Sequence, residues 1–210
     1  MRMDYKTVKQ QNEAEIVINK SRFIASVKRT ETEQEAFEFI QEIKQIHSSA
    51  THNCSAYLIG EHDNIQKAND DGEPSGTAGF PMLEVLKKQG LKDTTVVVTR
   101  YFGGIKLGGG GLIRAYGRST SEGVAAAGTV KRVLHAKMAV AVDYTALGKV
   151  ENEVRQSAWP LDTIDYGTHV TLFVFVPIAE LQQFHDWIAD LTNGQGVVSE
   201  SGQEFLEFSV

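Results

Sequence analysis

Cysteine occurs once in the 210 residues, at Cys54, so no internal disulfide can form and a reducing compartment is expected. No Cys-x-x-Cys or His-Glu-x-x-His stretch is present to bind zinc, and no metal site is expected. Long apolar runs are missing too: nothing approaches the length needed to span a bilayer, and the amino-terminal MRMDYKTVKQQNEAEIVINK lacks the apolar core of a signal peptide. A cytoplasmic location with no membrane partner is the expectation. Positive charge is not in excess, since 21 Lys and Arg against 27 Asp and Glu leave a net charge of −6. That balance excludes indiscriminate nucleic-acid binding, which needs a broad positive field, and confines any polyanion contact to a patch. Internal repeats, low-complexity tracts and long like-charge runs are also absent. What is left, 41% hydrophobic and 23% charged, is a globular chain long enough for two modest cores or one large one.

Against this acidic background, Thr94 to Ser121 (TTVVVTRYFGGIKLGGGGLIRAYGRSTS) carries Arg100, Lys106, Arg114 and Arg118 and no carboxylate. The stretch reads as a β-branched buried strand, a glycine hinge, a four-glycine loop and an amphipathic helix from Leu112. Gly103, Gly104, Gly108, Gly109, Gly110 and Gly111 leave the backbone free to approach another molecule closely. Exposed amides running into a helix N-terminus make an anion site, because unpaired N–H groups and the positive end of the helix dipole converge there. Helical spacing turns Leu112, Tyr116, Thr120, Gly123 and Ala127 inward and sets Arg114 and Arg118 on one face with Glu122. The plainer alternative is a tight strand-to-helix turn, with Arg118 paired to Glu122 on a solvated surface. Lys106 precedes the glycines and no Gly-Lys-Ser/Thr follows, so this is not a Walker loop; nor is it G-x-G-x-x-G, and no cofactor is implied.

Asn69 to Pro81 (NDDGEPSGTAGFP) is rich in turn formers and holds Asp70, Asp71 and Glu73 without a basic residue. Three carboxylates followed by the Ser75 and Thr77 hydroxyls suit a hydrated Mg²⁺, suit ion pairs with Arg100 or Lys106, or shape a tight loop by bonding to its own backbone. Pairing and loop shaping are favoured over a metal. His52 and Cys54 fall on one side of an alternating strand, His52 to Ile59, where a thiol and an imidazole could act as nucleophile and base. A small buried hydrophobe beside a satisfied histidine is the favoured reading, and no catalytic residue is assigned.

Around these motifs, Glu15 to Ile18 and Phe23 to Val27 read as short strands about Asn19-Lys20-Ser21, either a hairpin or one bent strand, with Lys20 and Arg22 an extra basic pair. Thr32 and Glu35 cap a helix striped by Ala36, Phe39, Ile40, Ile43 and Ile46. Pro81 fits the first position of a helix that Gly90 closes. From Val133 the order is strand (Lys137 to Val142), helix (Leu147 to Val154), strands (Leu161 to Tyr166 and Val170 to Val176), helix (Leu181 to Leu191) and a last strand from Val197. That is βαββαβ, the ferredoxin-like arrangement. Its Trp159, Trp187, His169 and His185 read as core or rim residues. The expected fold is α+β, with a first domain over 1–132 and a ferredoxin-like domain over 133–210.

Three stretches together resemble the Impact family and its bacterial members: SRFIA at Ser21 to Ala25, DDGEPSGTAGFP at Asp70 to Pro81, and VVVTRYFGGIKLG at Val96 to Gly108. Ala50-x-His52-x-Cys54-x-Ala56 and Gly110-Gly111-Leu112 with Arg114-Ala115-Tyr116 extend the likeness, which departs at Gly109, where the family more often has Thr or Ala. The resemblance implies a first domain folded like the second domain of a small-subunit ribosomal protein, a βα sandwich, and a second domain like the last domain of elongation factor G. Eukaryotic members regulate translation initiation by competing for the activator of a starvation-sensing kinase; no protein-binding module of the kind they carry precedes the first domain, so that mechanism is not expected here. The functional expectation is a translation-associated regulator that binds RNA, the ribosome or a regulatory protein. It would do so through Arg100, Lys106, Gly108 to Gly111, Arg114 and Arg118. The alternative is a Mg²⁺-dependent enzyme acting on a phosphorylated or nucleotide substrate.

Overall fold

The computed structural model describes residues 2–210. By internal packing the chain divides into two compact units, one over Tyr5–Lys131 with the last two residues, the other over Arg132–Phe208 with Arg2–Asp4. The first contains β1 (Asp4–Val8, its first residue counted with the other unit), β2 (Asn12–Ile18), β3 (Ser21–Arg29), α1 (Glu33–Ile46), β4 (His52–Ile59), β5 (Ile65–Asn69), α2 (Gly79–Lys88), β6 (Thr94–Tyr101) and α3 (Gly108–Ala127).

Five of these strands form a sheet in the order β2-β3-β6-β4-β5, each neighbouring pair antiparallel. The β2–β3 link is a tight hairpin: Asn19 and Lys20 both take positive φ, 47° and 65°, the geometry whose twist matches two antiparallel strands. Strand alternation then assigns the faces. In β6, Val96 and Val98 point to the side covered by Met82 and Leu86 of α2 and by Leu112 and Tyr116 of α3. Val97 points the other way, onto Ala36, Phe39, Ile40 and Ile43 of α1. The sheet is thus covered on both faces, which is why β4 and β6 read as continuous buried runs. Helix α3 lies so close to β3 that a Cβ at Gly123 would sit 2.8 Å from the Ala25 methyl. Thr32 accepts from the Glu35 amide at 3.2 Å, as expected of a cap, but the Glu35 carboxylate returns to the Glu31 amide, and Ile46 is exposed instead of finishing the stripe.

The second unit holds β7 (Thr129–Val142, which begins ahead of the unit boundary), α4 (Tyr144–Gln156), β8 (Leu161–Tyr166), β9 (Val170–Pro177), α5 (Leu181–Thr192) and β10 (Val197–Ser209). β9 pairs with both β7 and β8, and β10 pairs with β7, so the spatial order β10-β7-β9-β8 is the ferredoxin-like one. Its core joins Val140, Leu172 and Val174 of the sheet to Val150 and Val154 of α4 and Phe184 and Ile188 of α5. Trp159 is buried against Phe184 and Trp187, with ring centroids 5.1 Å away in each case, in agreement with a core role. His185 is exposed on α5, and His169 is paired at the surface with Asp143.

Candidate functional site

The acidic loop is occupied by its own chain. Asp70 accepts backbone N–H groups from Gly76, Ala78 and Gly79 at 2.8 to 3.1 Å. The last two are the N-cap and the first residue of α2, so a carboxylate remote in sequence caps the helix, which begins at Gly79 rather than at Pro81. Asp71 bonds the Lys44 ammonium at 2.7 Å and the Asn53 amide at 2.7 Å. Burial raises the pKa of both aspartates, but the backbone donors on Asp70, and Lys44 with Asn53 on Asp71, outweigh it and hold both below the ordinary value. A lowered folded-state pKa contributes stability that is fully present above the unfolded value, near ~4, and lost as pH falls through the folded one. Asp70→Asn is therefore expected to cost about 1–2 kcal/mol at neutral pH and to flatten the acid limb of the melting temperature against pH. An unchanged acid limb would remove the capping role.

Glu73 pairs with Arg100, one of the two cations considered for it. Arg100 follows Val96 and Val98 on the core-facing side of β6, and it is 5% exposed. Its Nη1 donates to Glu73 Oε1 at 2.6 Å, and the same oxygen accepts from the Tyr116 hydroxyl at 2.8 Å. Nη2 reaches Ser21 Oγ at 3.4 Å, while Nε is buried with no hydrogen-bond partner. Arg100 is thus not a free surface cation: a buried guanidinium has to be paired, and Glu73 does this with an oxygen that also accepts from the Tyr116 hydroxyl. Because Arg100 takes the inward position, neither neighbouring aromatic enters the core. Tyr101 bonds His47 on the α1 side at 2.9 Å, and Phe102 is 46% exposed.

The glycines also divide. Gly103 is needed for close approach to its own chain, because a Cβ there would lie 2.0 Å from the Lys20 carbonyl carbon. Gly108 to Gly111 form no loop; they are the first turn of α3. Gly108 enters it at φ 70°, no side chain caps it, and no acidic residue lies in that turn. Gly108, Gly109 and Gly110 are exposed, so the leading amides, which have no partner within a helix, face outward. The cations expected around them are split between two hollows. Lys106, Gly108 and Gly109 share with Arg100, Glu73 and His52 a cleft of about 430 Å³. Gly111, Arg114 and Arg118 line a second one beside the Asn19 turn. Ser75 is exposed on the acidic loop, and Thr77 is spent on the Pro74 carbonyl at 2.6 Å.

Cys54 is fully buried, and burial pushes its thiol up to about 12, away from the thiolate that a nucleophile needs. Cys54 Sγ donates to the Asp70 carbonyl at 2.9 Å, and His52 Nδ1 is 2.8 Å from the Asp71 carbonyl oxygen. Both residues therefore fasten the acidic loop to β4. The Glu73–Arg100–Tyr116 network was not legible as a unit in the sequence, although the alternation Val96, Val98, Arg100 was a signal for it: an arginine in phase with core valines requires a carboxylate partner.

Residues 19–124 match the Impact N-terminal domain, and residues 140–195 match a domain of unknown function (DUF1949). The chain is 59% identical over 206 residues to IMPACT family member YvyE of Bacillus subtilis, a match covering 98% of this chain and 95% of that protein. The chain belongs to the Impact family. Another member, YigZ of Escherichia coli, is 35% identical over 84% of this chain and 88% of its own length, whereas Protein IMPACT of rabbit shares 42% identity over only 64 residues, 20% of its length. A crystal structure of a hypothetical protein, 30% identical, superposes with a TM-score of 0.62 over 94% of this chain and 97% of its own. On this Impact-family chain the three stretches that carry the resemblance meet at one place. Ser21 from the first bonds Arg100 and the Gly103 amide, Glu73 and Pro74 come from the second, and Arg100, Lys106 and Gly108 from the third.

Proposed function

We propose that this Impact-family chain is a translation-associated regulatory factor that binds RNA phosphates at the amino-terminal turn of α3. The tie to translation is carried by the family, whose eukaryotic members regulate initiation. The tie to phosphate rests on one observation: the exposed Gly108–Gly110 turn, free of acidic residues and of any side-chain cap, opens beside Lys106. Bare amides at a helix N-terminus accept an anion without competition from the chain itself. The enzyme reading loses its metal ligands, since Asp70, Asp71 and Glu73 are already engaged by backbone amides, Lys44, Arg100 and Tyr116.

Co-sedimentation with ribosomes through a sucrose cushion tests this. The wild-type chain is expected in the pellet at low salt and to leave it as salt rises, because phosphate contacts release counterions. Gly109→Glu and Lys106→Glu are expected to stay in the supernatant. Pelleting of both variants like wild type would overturn the reading, and retention that survives nuclease would assign the surface to a protein partner.

A further inference from the structure

The second unit gathers the acidity of the chain. From Gln156 to Val210 there is no Lys or Arg, against eight Asp and Glu, more than the net −6 of the whole sequence. Such a field repels nucleic acid and draws in basic partners. Along the seam of α4 and α5 lies a recess of about 630 Å³, within the size range of binding sites. Glu153 of α4, Glu180 at the start of α5 and Asp190 of α5 line it, and no basic residue does. The two cations of α4 are engaged elsewhere: Lys149 donates to the Leu191 carbonyl at 2.9 Å, and Arg155 pairs with Glu151 at 2.9 Å. Glu153 and Asp190 form no ion pair among the described residues. The end of α4, at Gln156, adds the negative pole of that helix.

The recess also has an aromatic floor. Steps of three and four residues set Glu180, Gln183, Trp187 and Asp190 on one side of α5, facing the seam. Trp159 is buried beneath, its ring centroid 5.1 Å from that of Trp187, and its Nε1 donates to Glu180 at 2.7 Å, which fixes that carboxylate at the rim. Trp187 is half-buried and keeps part of its indole open to the recess. An indole face between carboxylates suits a guanidinium, which stacks on the ring and donates in its own plane to the acids; an ammonium offers the charge without the flat face.

We propose that the α4–α5 recess docks a basic protein segment through an arginine side chain, whose guanidinium lies against Trp187 and is paired by Glu153 and Asp190. Charge complementarity selects protein over RNA here, so this surface is separate from the phosphate site at α3, and the two readings stand or fall independently.

Trp159 and Trp187 are the two tryptophans of the chain, so its tryptophan fluorescence reports on this recess without a label. Titration of the full chain with the peptide acetyl-GRGRGRG-amide is expected to change the emission saturably. Glu153→Lys and Asp190→Lys, with unchanged melting temperatures, are each expected to weaken the apparent affinity at least ~10-fold, as loss of a close charge pair does. Should either reversal lower the melting temperature, the neutral pair Glu153→Gln with Asp190→Asn takes its place, with the same loss expected. The lysine counterpart of the peptide should bind more weakly and the citrulline counterpart not at all, while Gly109→Glu should leave the titration as in wild type. An emission unmoved by the arginine peptide, a change that the citrulline peptide reproduces, or a change that survives the substitutions at Glu153 and Asp190 would overturn the proposal. So would saturation by polyuridylate in place of the peptide.

Discussion

Glu73→Ala is expected to lower stability by about 3–5 kcal/mol, the usual consequence of stripping the partner from a buried charge. Glu73 and Arg100 are 8% and 5% exposed, so water cannot take the place of the lost carboxylate. Tyr116, fully buried and bonded to the same oxygen, loses its acceptor in the same step. The phenol is held well above its ordinary pKa, first by burial and then by the neighbouring Cys54 and Glu73, so it stays neutral and needs that acceptor. Glu73→Gln, which keeps an acceptor but removes the charge, should cost less. Replacing both members, Glu73→Leu with Arg100→Met, should cost much less than the sum of the two single changes, because no orphaned charge remains. Urea midpoints at constant m-value measure all of these. A loss under about 1 kcal/mol for Glu73→Ala would show that solvent reaches Arg100.

Gly109→Glu is expected to move stability and binding in opposite directions. A Cβ at Gly109 would meet only the Thr77 methyl, at the ordinary contact distance of 3.9 Å, so a side chain fits. Glycine in a helix is less favourable than an ordinary residue by roughly 0.5–1 kcal/mol, and an acid in the first turn gains about 0.3–1 kcal/mol from the helix dipole. The melting temperature should therefore rise or hold. The same carboxylate occupies the place proposed for the phosphate, and affinity for RNA should fall by more than ~10-fold, from charge repulsion and competition for the amides. A structural glycine would behave in the opposite way, losing stability with binding intact.

Much of this architecture was readable from pattern. Thr32 ahead of Glu35 and an apolar stripe gave α1, and the alternation and turn residues gave the βαββαβ order of the second unit, because each is decided by neighbours in sequence. Asn19-Lys20 left a hairpin and one bent strand both open until the positive φ of both residues decided for the hairpin. β5 was not readable: Gln66 and Lys67 of this edge strand are exposed, so no buried face leaves an apolar signature. The start of α2 was placed two residues late because its cap, Asp70, arrives from eight and nine residues upstream. At the site, the exposure of Gly108–Gly110 and the buried role of Tyr116 followed from residue type and spacing, but the place of these glycines as the first turn of α3, expected to begin at Leu112, did not, because glycine is a poor helix former. The division of the cations did not. Whether an arginine is buried and paired or free depends on which strands flank it, and β6 sets Arg100 between Phe23 of β3 and His52 of β4, opposite the loop that carries Glu73.

The most direct measurement is the amide ¹⁵N–¹H spectrum during titration with a short single-stranded RNA. The Gly108, Gly109 and Gly110 amide signals are expected to move first and farthest, with Gly148, Gly167 and Gly202 of the second unit unmoved. Shifts confined to the second unit or to the Arg114–Arg118 face, with the three leading glycine amides stationary, would contradict the claim that α3 begins at a phosphate site.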